Sequence, residues 1–262
     1  MSEFNNMKYT QLFRGPVYVS PYPTYNFEEL FKLQDVTAEP TTNEITIADP
    51  TRIGLPTLDS VNTVSEINIT GEAVSFSPRA AAVAMYGSVE NVPSGTVTDE
   101  EHDAFLNRHI MLEHLPLEIE SLTDEDGTEY ERNKDYAVTH VGVMVMPGGA
   151  LADKIAQASG SVGEPKSVQI KVSYTYPSVD VIKPFVEGQK YFRILFGQIN
   201  EGGDNERRRI LCYYAKISLN GGIPLNQGTD FGTIPVQITL MSDPSILDAG
   251  EASMWRWEVE RK

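Results

Sequence analysis

The sequence contains one cysteine, Cys212, in 262 residues. A lone thiol excludes an intrachain disulfide, and its place in an apolar strand pattern marks it as an inert buried side chain. Long apolar runs are missing as well. The longest, from Val141 to Ala152, is interrupted by Pro147, Gly148 and Gly149 and is too short to span a bilayer. The opening MSEFNNMKYT has neither the basic nor the apolar region of a secretory signal. The expectation is therefore a soluble protein with no membrane segment, in which the glycosylation-like triplet Asn68-Ile69-Thr70 is a chance match. Basic residues are scarce, with 21 Lys and Arg against 37 Asp and Glu, for a formal net charge of −16. That balance argues against a sequence-reading nucleic-acid binder, whose affinity rests on cations neutralising phosphates. It remains compatible with a surface that DNA passes without sticking.

The signatures of catalysis are also absent. His102, His109 and His114 share a stretch with Glu100, Glu101 and Glu113, but no two of these histidines have the i, i+4 spacing of a helical zinc pair. Asp124-Glu125-Asp126-Gly127 resembles the start of a calcium loop, yet Asp135 stands where such a loop needs its bidentate Glu, and the Gly comes too early. An acidic turn is the better reading. There is no phosphate-binding Gly-rich loop followed by Lys and no Gly-x-Ser-x-Gly elbow, so Ser161, between Gly160 and Gly163, reads as part of a loop. We expect no enzyme activity, no catalytic residues, no cofactor and no metal.

What is present is β pattern. With 20 Gly and 16 Pro the chain has many turn signals. Alternating apolar and polar residues place strands at Pro16–Ser20, Glu44–Ala48 and Val61–Phe76, with Gly71 allowing a bend in the last. Further strands are expected at Val138–Met146, Val168–Tyr176, Lys190–Ile199, Arg209–Leu219, Ile234–Met241 and Met254–Val259. Residues 200–205 read as a long hairpin loop. Ser77 to Gly87 has a Ser cap, Pro at the first helical position, an alanine run and a terminating Gly, and so predicts a helix. A second, shorter helical pattern covers Ala150–Ala158. The fold class expected is mainly β: an antiparallel sandwich or barrel with one flanking α-helix and long inserted loops.

The domain organisation read from this pattern is an N-terminal arm over 1–15 and a single β-sandwich over 16–262, with insertions at about 34–60 and 113–134. The segment from Gln34 to Ser60 is polar and punctuated by Pro40, Pro50, Gly54 and Pro56, so we expect an excursion projecting from the body. Arg207-Arg208-Arg209 stands beside Asp204 and Glu206 and is expected to form ion pairs at a loop or subunit boundary. Trp255 and Trp257 alternate, so both face one way, as core or interface anchors or as a sugar-stacking platform.

The order of these motifs resembles that of bacteriophage major tail proteins, the tail tube subunits. The residues concerned are the Ala-rich helix ending Tyr86-Gly87, the segment Gly95-Thr96-Val97-Thr98-Asp99-Glu100-Glu101-His102, Asp135-Tyr136-Ala137-Val138, the strand ending Tyr174-Thr175-Tyr176, and Tyr191 to Gly197 (YFRILFG). Arg209 to Leu219 and Gly232 to Met241 followed by Ser242-Asp243-Pro244 complete it. The resemblance covers roughly residues 15 to 245. It implies six copies to a ring and rings stacked into a tube that conducts the genome into the host. The implied partners are further copies of the chain, a tape-measure protein and transiting DNA in the lumen, and tail terminator and distal tail or baseplate proteins at the ends. The implied place is the virion tail, reached from the host cytoplasm. Other expectations open at this stage are a tail terminator, a baseplate hub component, a capsid decoration protein, a secretion-system tube and, in a different class, a carbohydrate-binding module using the two tryptophans.

Overall fold

The computed structural model describes residues 11–158, 165–202, 205–226, 228, 231–248 and 250–261. In chain order the elements are β1 (Phe13–Arg14), β2 (Val17–Pro21), β3 (Glu28–Glu29), β4 (Phe31–Ala48), β5 (Thr57–Phe76), α1 (Pro78–Ala84), β6 (Ser88–Val92), β7 (Gly95–Phe105), β8 (His109–Met111) and β9 (Glu118–Asp124). There follow β10 (Tyr136–Thr139), β11 (Gly142–Val145), α2 (Ala150–Gln157), β12 (Ser167–Tyr176), β13 (Val179–Lys183), β14 (Phe192–Asn200), β15 (Arg207–Leu219), β16 (Ile234–Leu240) and β17 (Trp255–Val259). The named strands pair antiparallel throughout, and those described close no barrel. The mainly β expectation is met, and both helical patterns form. No helix among the described residues is long and apolar enough to cross a membrane.

The chain divides into two compact units, Met1–Glu90 with Ile182–Lys262 and Asn91–Val181. The sequence reading had a single domain here. A strand's alternation looks the same whichever core its apolar face meets, and the structure has two separate apolar clusters, one in each unit. The boundaries fall in β6 and β13, which pair with each other as a two-stranded ribbon.

The first unit is a nine-stranded sheet in the order β3-β2-β14-β15-β16-β5-β4, with β1 added on β14 and β17 on β15. Its core comes from the inward positions of these strands: Val17 and Val19, Ile67 and Ile69, Ile194 and Phe196, Ile210 and Cys212, Ile217, and Ile238 and Leu240. Helix α1 begins as its sequence predicts. Ser77 accepts the Ala80 N–H at 3.1 Å, and Pro78 fills the first turn, where its missing N–H costs nothing. Its end differs. Tyr86, not Gly87, takes the left-handed conformation, with φ of 50°. Gly87 is required by proximity, because a Cβ there would lie 2.4 Å from the Lys183 carbonyl oxygen.

The second unit has two three-stranded sheets, β7-β12-β9 and β10-β11-β8, enclosing Leu122, Val143, Val145, Leu151, Ile170, Val172 and Tyr174. Two sequence expectations change in this unit. The strand expected over Val138–Met146 is a hairpin, with Tyr136 opposite Val145 and Thr139 opposite Gly142. Gly142 has φ of 148°, and a Cβ on it would stand 2.0 Å from the Ile110 carbonyl oxygen. The region 113–134 is no appended loop: it supplies β9, paired with β12 from Asp124↔Ile170 to Glu118↔Thr175, together with the buried Leu122 and Tyr130. Asp135 holds α2 in place from outside the helix. Gly149, the residue before α2, offers no side-chain cap, and the Asp135 Oδ1 accepts the Ala150 N–H at 2.6 Å while Oδ2 accepts the Glu131 N–H at 2.9 Å.

Candidate assembly surface

Strands β4 and β5 pair along their whole length, from Phe31↔Phe76 to Ala48↔Thr57. On its other side β5 meets β16 only between Ile67↔Leu240 and Ala73↔Ile234. Beyond Ile67, Thr41–Ala48 and Thr57–Glu66 therefore pair only with each other among the described strands. At about 3.4 Å per residue, Thr41–Ala48 carries the hairpin about 27 Å past the end of β16. The excursion expected over 34–60 is thus a β-ribbon, not a loop. Pro40 obscured this in the sequence. It sits inside β4 opposite Ile67, on an outer strand where a missing N–H leaves no ladder bond unmade.

A free two-stranded ribbon is marginal in water unless an apolar face is covered. This one has such a face exposed. Ile45 lies directly opposite Val61, and Ile47 projects the same way one period on. These three, with Val64, Leu58, Leu55 and Ile53, are all solvent-exposed, Ile53 completely at 107%. Both edges of the projecting part also carry backbone donors and acceptors that pair with no other described strand, the kind of template that another strand extends.

The tip is a built turn. Asp49 accepts the Thr51 N–H at 2.9 Å and the Thr51 hydroxyl at 2.6 Å, and Arg52 lies 3.3 Å from its other oxygen. The Thr51 hydroxyl and then its N–H hold the Asp49 carboxyl below the usual carboxylate range. The Asp49 N–H donates to the Pro56 carbonyl at 2.7 Å and the Leu55 N–H to the Arg52 carbonyl at 3.2 Å. Gly54 and Leu55 are left-handed, with φ of 91° and 45°. These bonds fix a small loop that displays Ile53 and Leu55 outward.

The same unit has an apolar cavity of about 250 Å³ between the base of the hairpin and β17, walled by Val36, Ala38, Ile69, Phe196, Ile210, Trp255 and Trp257. Arg208 closes one side. Its guanidinium carbon lies 3.4 Å from the Phe13 ring centroid and 4.6 Å from that of Trp257, and it donates to the Gln198 Oε1 from Nε at 2.8 Å and from a terminal nitrogen at 2.6 Å. Arg207 and Arg209 do form ion pairs, with Glu260 just past β17 and with Glu258 on it, so these partners come from the neighbouring strand and not from the loop before Arg207. Asp204 is outside the described residues. Trp255 and Trp257 do share a face, opposite Cys212 and Ile210. Their planes are inclined at 53°, so they do not form one flat platform.

The polar clusters singled out in the sequence have local partners. Burial alone would raise Glu100, but hydrogen bonds from the Tyr174 hydroxyl at 2.6 Å, the Glu113 N–H at 2.9 Å and His102 at 2.6 Å outweigh it and hold the carboxyl below its usual range. Tyr174 is pushed up to about 12 by burial and by that carboxylate. His114 stacks on Tyr176 with ring centroids 4.0 Å apart, and His109 stands 3.4 Å from the Thr139 hydroxyl. Among the described residues no group of His, Cys, Asp or Glu is placed to hold a metal ion. In the acidic turn the Lys154 ammonium lies 2.6 Å from carboxylate oxygens of both Asp124 and Asp126, where a cation would sit. Ser161 is outside the described residues. Cys212 is fully buried, which pushes its thiol up, and Asn68 accepts hydrogen bonds from Gln237 and Thr239.

One network gave no signal in the sequence. Arg193, on β14, and Asp243 are both buried, 3.5 Å apart. Burial would raise Asp243, but the Ser245 hydroxyl and N–H, then the Tyr22 hydroxyl and Arg193, lower it. Arg193 also lies over the Tyr25 ring at 3.9 Å and donates to the Pro23 carbonyl.

No curated protein matches this chain. A family model does match, over residues 10–258, and its description is protein of unknown function UCP028589.

Proposed function

The chain belongs to the UCP028589 family, and on that premise we propose that it is a structural subunit that assembles with copies of itself into stacked hexameric rings, forming a tube of the bacteriophage tail type. The observation that carries the proposal is the β4–β5 ribbon. It projects about 27 Å from its sheet with Ile45, Ile47, Val61, Ile53 and Leu55 exposed and both backbone edges without a further strand among the described residues. A monomer would present these features to water for no return, whereas an assembly buries the apolar face and pairs the edges. The acidic balance fits a conduit. At physiological salt charges are screened beyond about 8 Å, so wall carboxylates repel DNA only across a narrow gap and keep it from adhering. In this reading the lumen holds a tape-measure protein and then DNA, the ends meet terminator and distal tail proteins, and the subunit resides in the virion tail.

Negative-stain electron microscopy and sedimentation velocity on the purified full chain test this. Rings or tubes are expected at high protein concentration. A protein that sediments as a monomer across concentration, salt and pH would rule it out.

A further inference from the structure

The exposed tip and the apolar cavity of the first unit are each incomplete, and they are complementary in kind. Ile53 and Leu55 stand on a loop tied by the Asp49–Thr51 and Asp49–Arg52 contacts, so presenting them costs little further ordering. The cavity has a volume of about 250 Å³ and walls from Val36, Ala38, Ile69, Phe196, Ile210 and the two tryptophans. A cavity of about 150 Å³ suffices for a benzene-sized group, so this one has room for Ile53 and part of Leu55. A molecule cannot bring the two together by itself. Val36 and Ala38 lie at the base of the same β4 whose far end, at Ala48, leads into the tip, with about 34 Å of paired strand between Ala38 and Ala48.

We infer that the tip of one copy, with Ile53 leading, docks into the Trp255–Trp257 cavity of a second copy. This rests on the self-assembly proposed above and names the contact that builds it. The joint is heterologous: each copy gives its tip in one direction and offers its cavity in the other. Repeated in one direction, such a contact closes into a ring or continues as a filament; only a reciprocal exchange of tips between two copies would stop it at a dimer. The ribbon sets the step between neighbours, because each copy reaches from its own cavity to the next.

Two variants of the full chain break opposite halves of the joint. Ile53→Asp places a charge on the tip. Ala38→Phe fills the cavity from an exposed position on its wall. Thermal melting followed by circular dichroism should show both folded as the parent is. In sedimentation velocity each variant alone should remain monomeric where the parent assembles. An equal mixture should give a species of two copies and nothing larger, since only the tip of the Ala38→Phe copy and the cavity of the Ile53→Asp copy are intact. If the parent assembles and either variant alone assembles equally well, or the mixture stays monomeric, the docking is wrong while self-assembly stands. If the parent never assembles, both fail. Flotation with phosphatidylcholine and phosphatidylglycerol vesicles that is abolished by Ile53→Asp and untouched by Ala38→Phe would make the tip a membrane contact and overturn the inference.

Discussion

The Tyr130 hydroxyl donates a hydrogen bond of 2.6 Å to the buried carboxylate of Asp124, which also accepts from the Lys154 ammonium and the Thr128 N–H. Burial alone would raise Asp124, but these partners hold it well below the ordinary carboxylate range, and burial with the same carboxylate pushes Tyr130 well up. Tyr130→Phe removes one hydrogen bond to a buried charge and should cost about 1.5–3 kcal/mol, read by urea unfolding at pH 7. A group with a lowered folded pKa contributes its stability above its unfolded value, about 3.9 for Asp, and loses it as pH falls through the folded value. The gap between parent and variant should therefore persist at about pH 4 and close only as pH falls through the folded value of Asp124, well below the ordinary carboxylate range. A gap that already closes between pH 7 and about pH 5, where the carboxylate is ionised in both states, would mean that the carboxylate is not its source.

Calcium should leave the melting temperature unchanged. Lys154 already occupies the space between Asp124 and Asp126 at 2.6 Å from each. A rise in melting temperature in millimolar calcium, lost in Asp126→Asn, would show that the ion displaces the ammonium.

Asp135→Ala leaves the first turn of α2 with no side-chain acceptor, since Gly149 has none to give. The expected loss is about 1–2 kcal/mol, in an unfolding transition of the second unit. Amide exchange at Ala150 should accelerate while exchange in β16 stays as it was.

The Arg193–Asp243 pair makes a test by double substitution. Among the described residues the Arg193 Nε and one Asp243 oxygen have no hydrogen-bond partner, so the pair is held by proximity and by the neighbours of each. Arg193→Met strands a buried carboxylate and should cost about 3–5 kcal/mol. Arg193→Met with Asp243→Asn should recover more than half of that, because the amide still accepts from Ser245 and Tyr22 without an unpaired charge. Additive losses in a double-mutant cycle would show that the two residues act independently.

Much of this architecture was legible in the chain. The β14–β16 region follows the alternation closely, because those strands have one buried face, and α1 carries its start signals in adjacent residues. What stayed hidden was long-range. Asp135 and Ala150, or Arg193 and Asp243, meet across many residues with no local pattern to mark them, and two cores cannot be told from one by the period of a strand. The candidate surface was half visible. The segment from Gln34 to Ser60 read as an excursion, but its polar composition and Pro40 hid the ribbon, and nothing in the sequence paired its tip with the tryptophans of β17.

The paired β6 and β13 also bear on how this chain can be altered. Asn91–Val181 is one continuous stretch with its own apolar core, and the backbone leaves the first unit and comes back on adjacent strands. A stretch held at two neighbouring points is an interchangeable cassette: its ends meet the surroundings as the ends of a short turn would. The chain of the first unit could then be rejoined by a tight turn between Glu90 and Ile182, where β6 and β13 already run side by side.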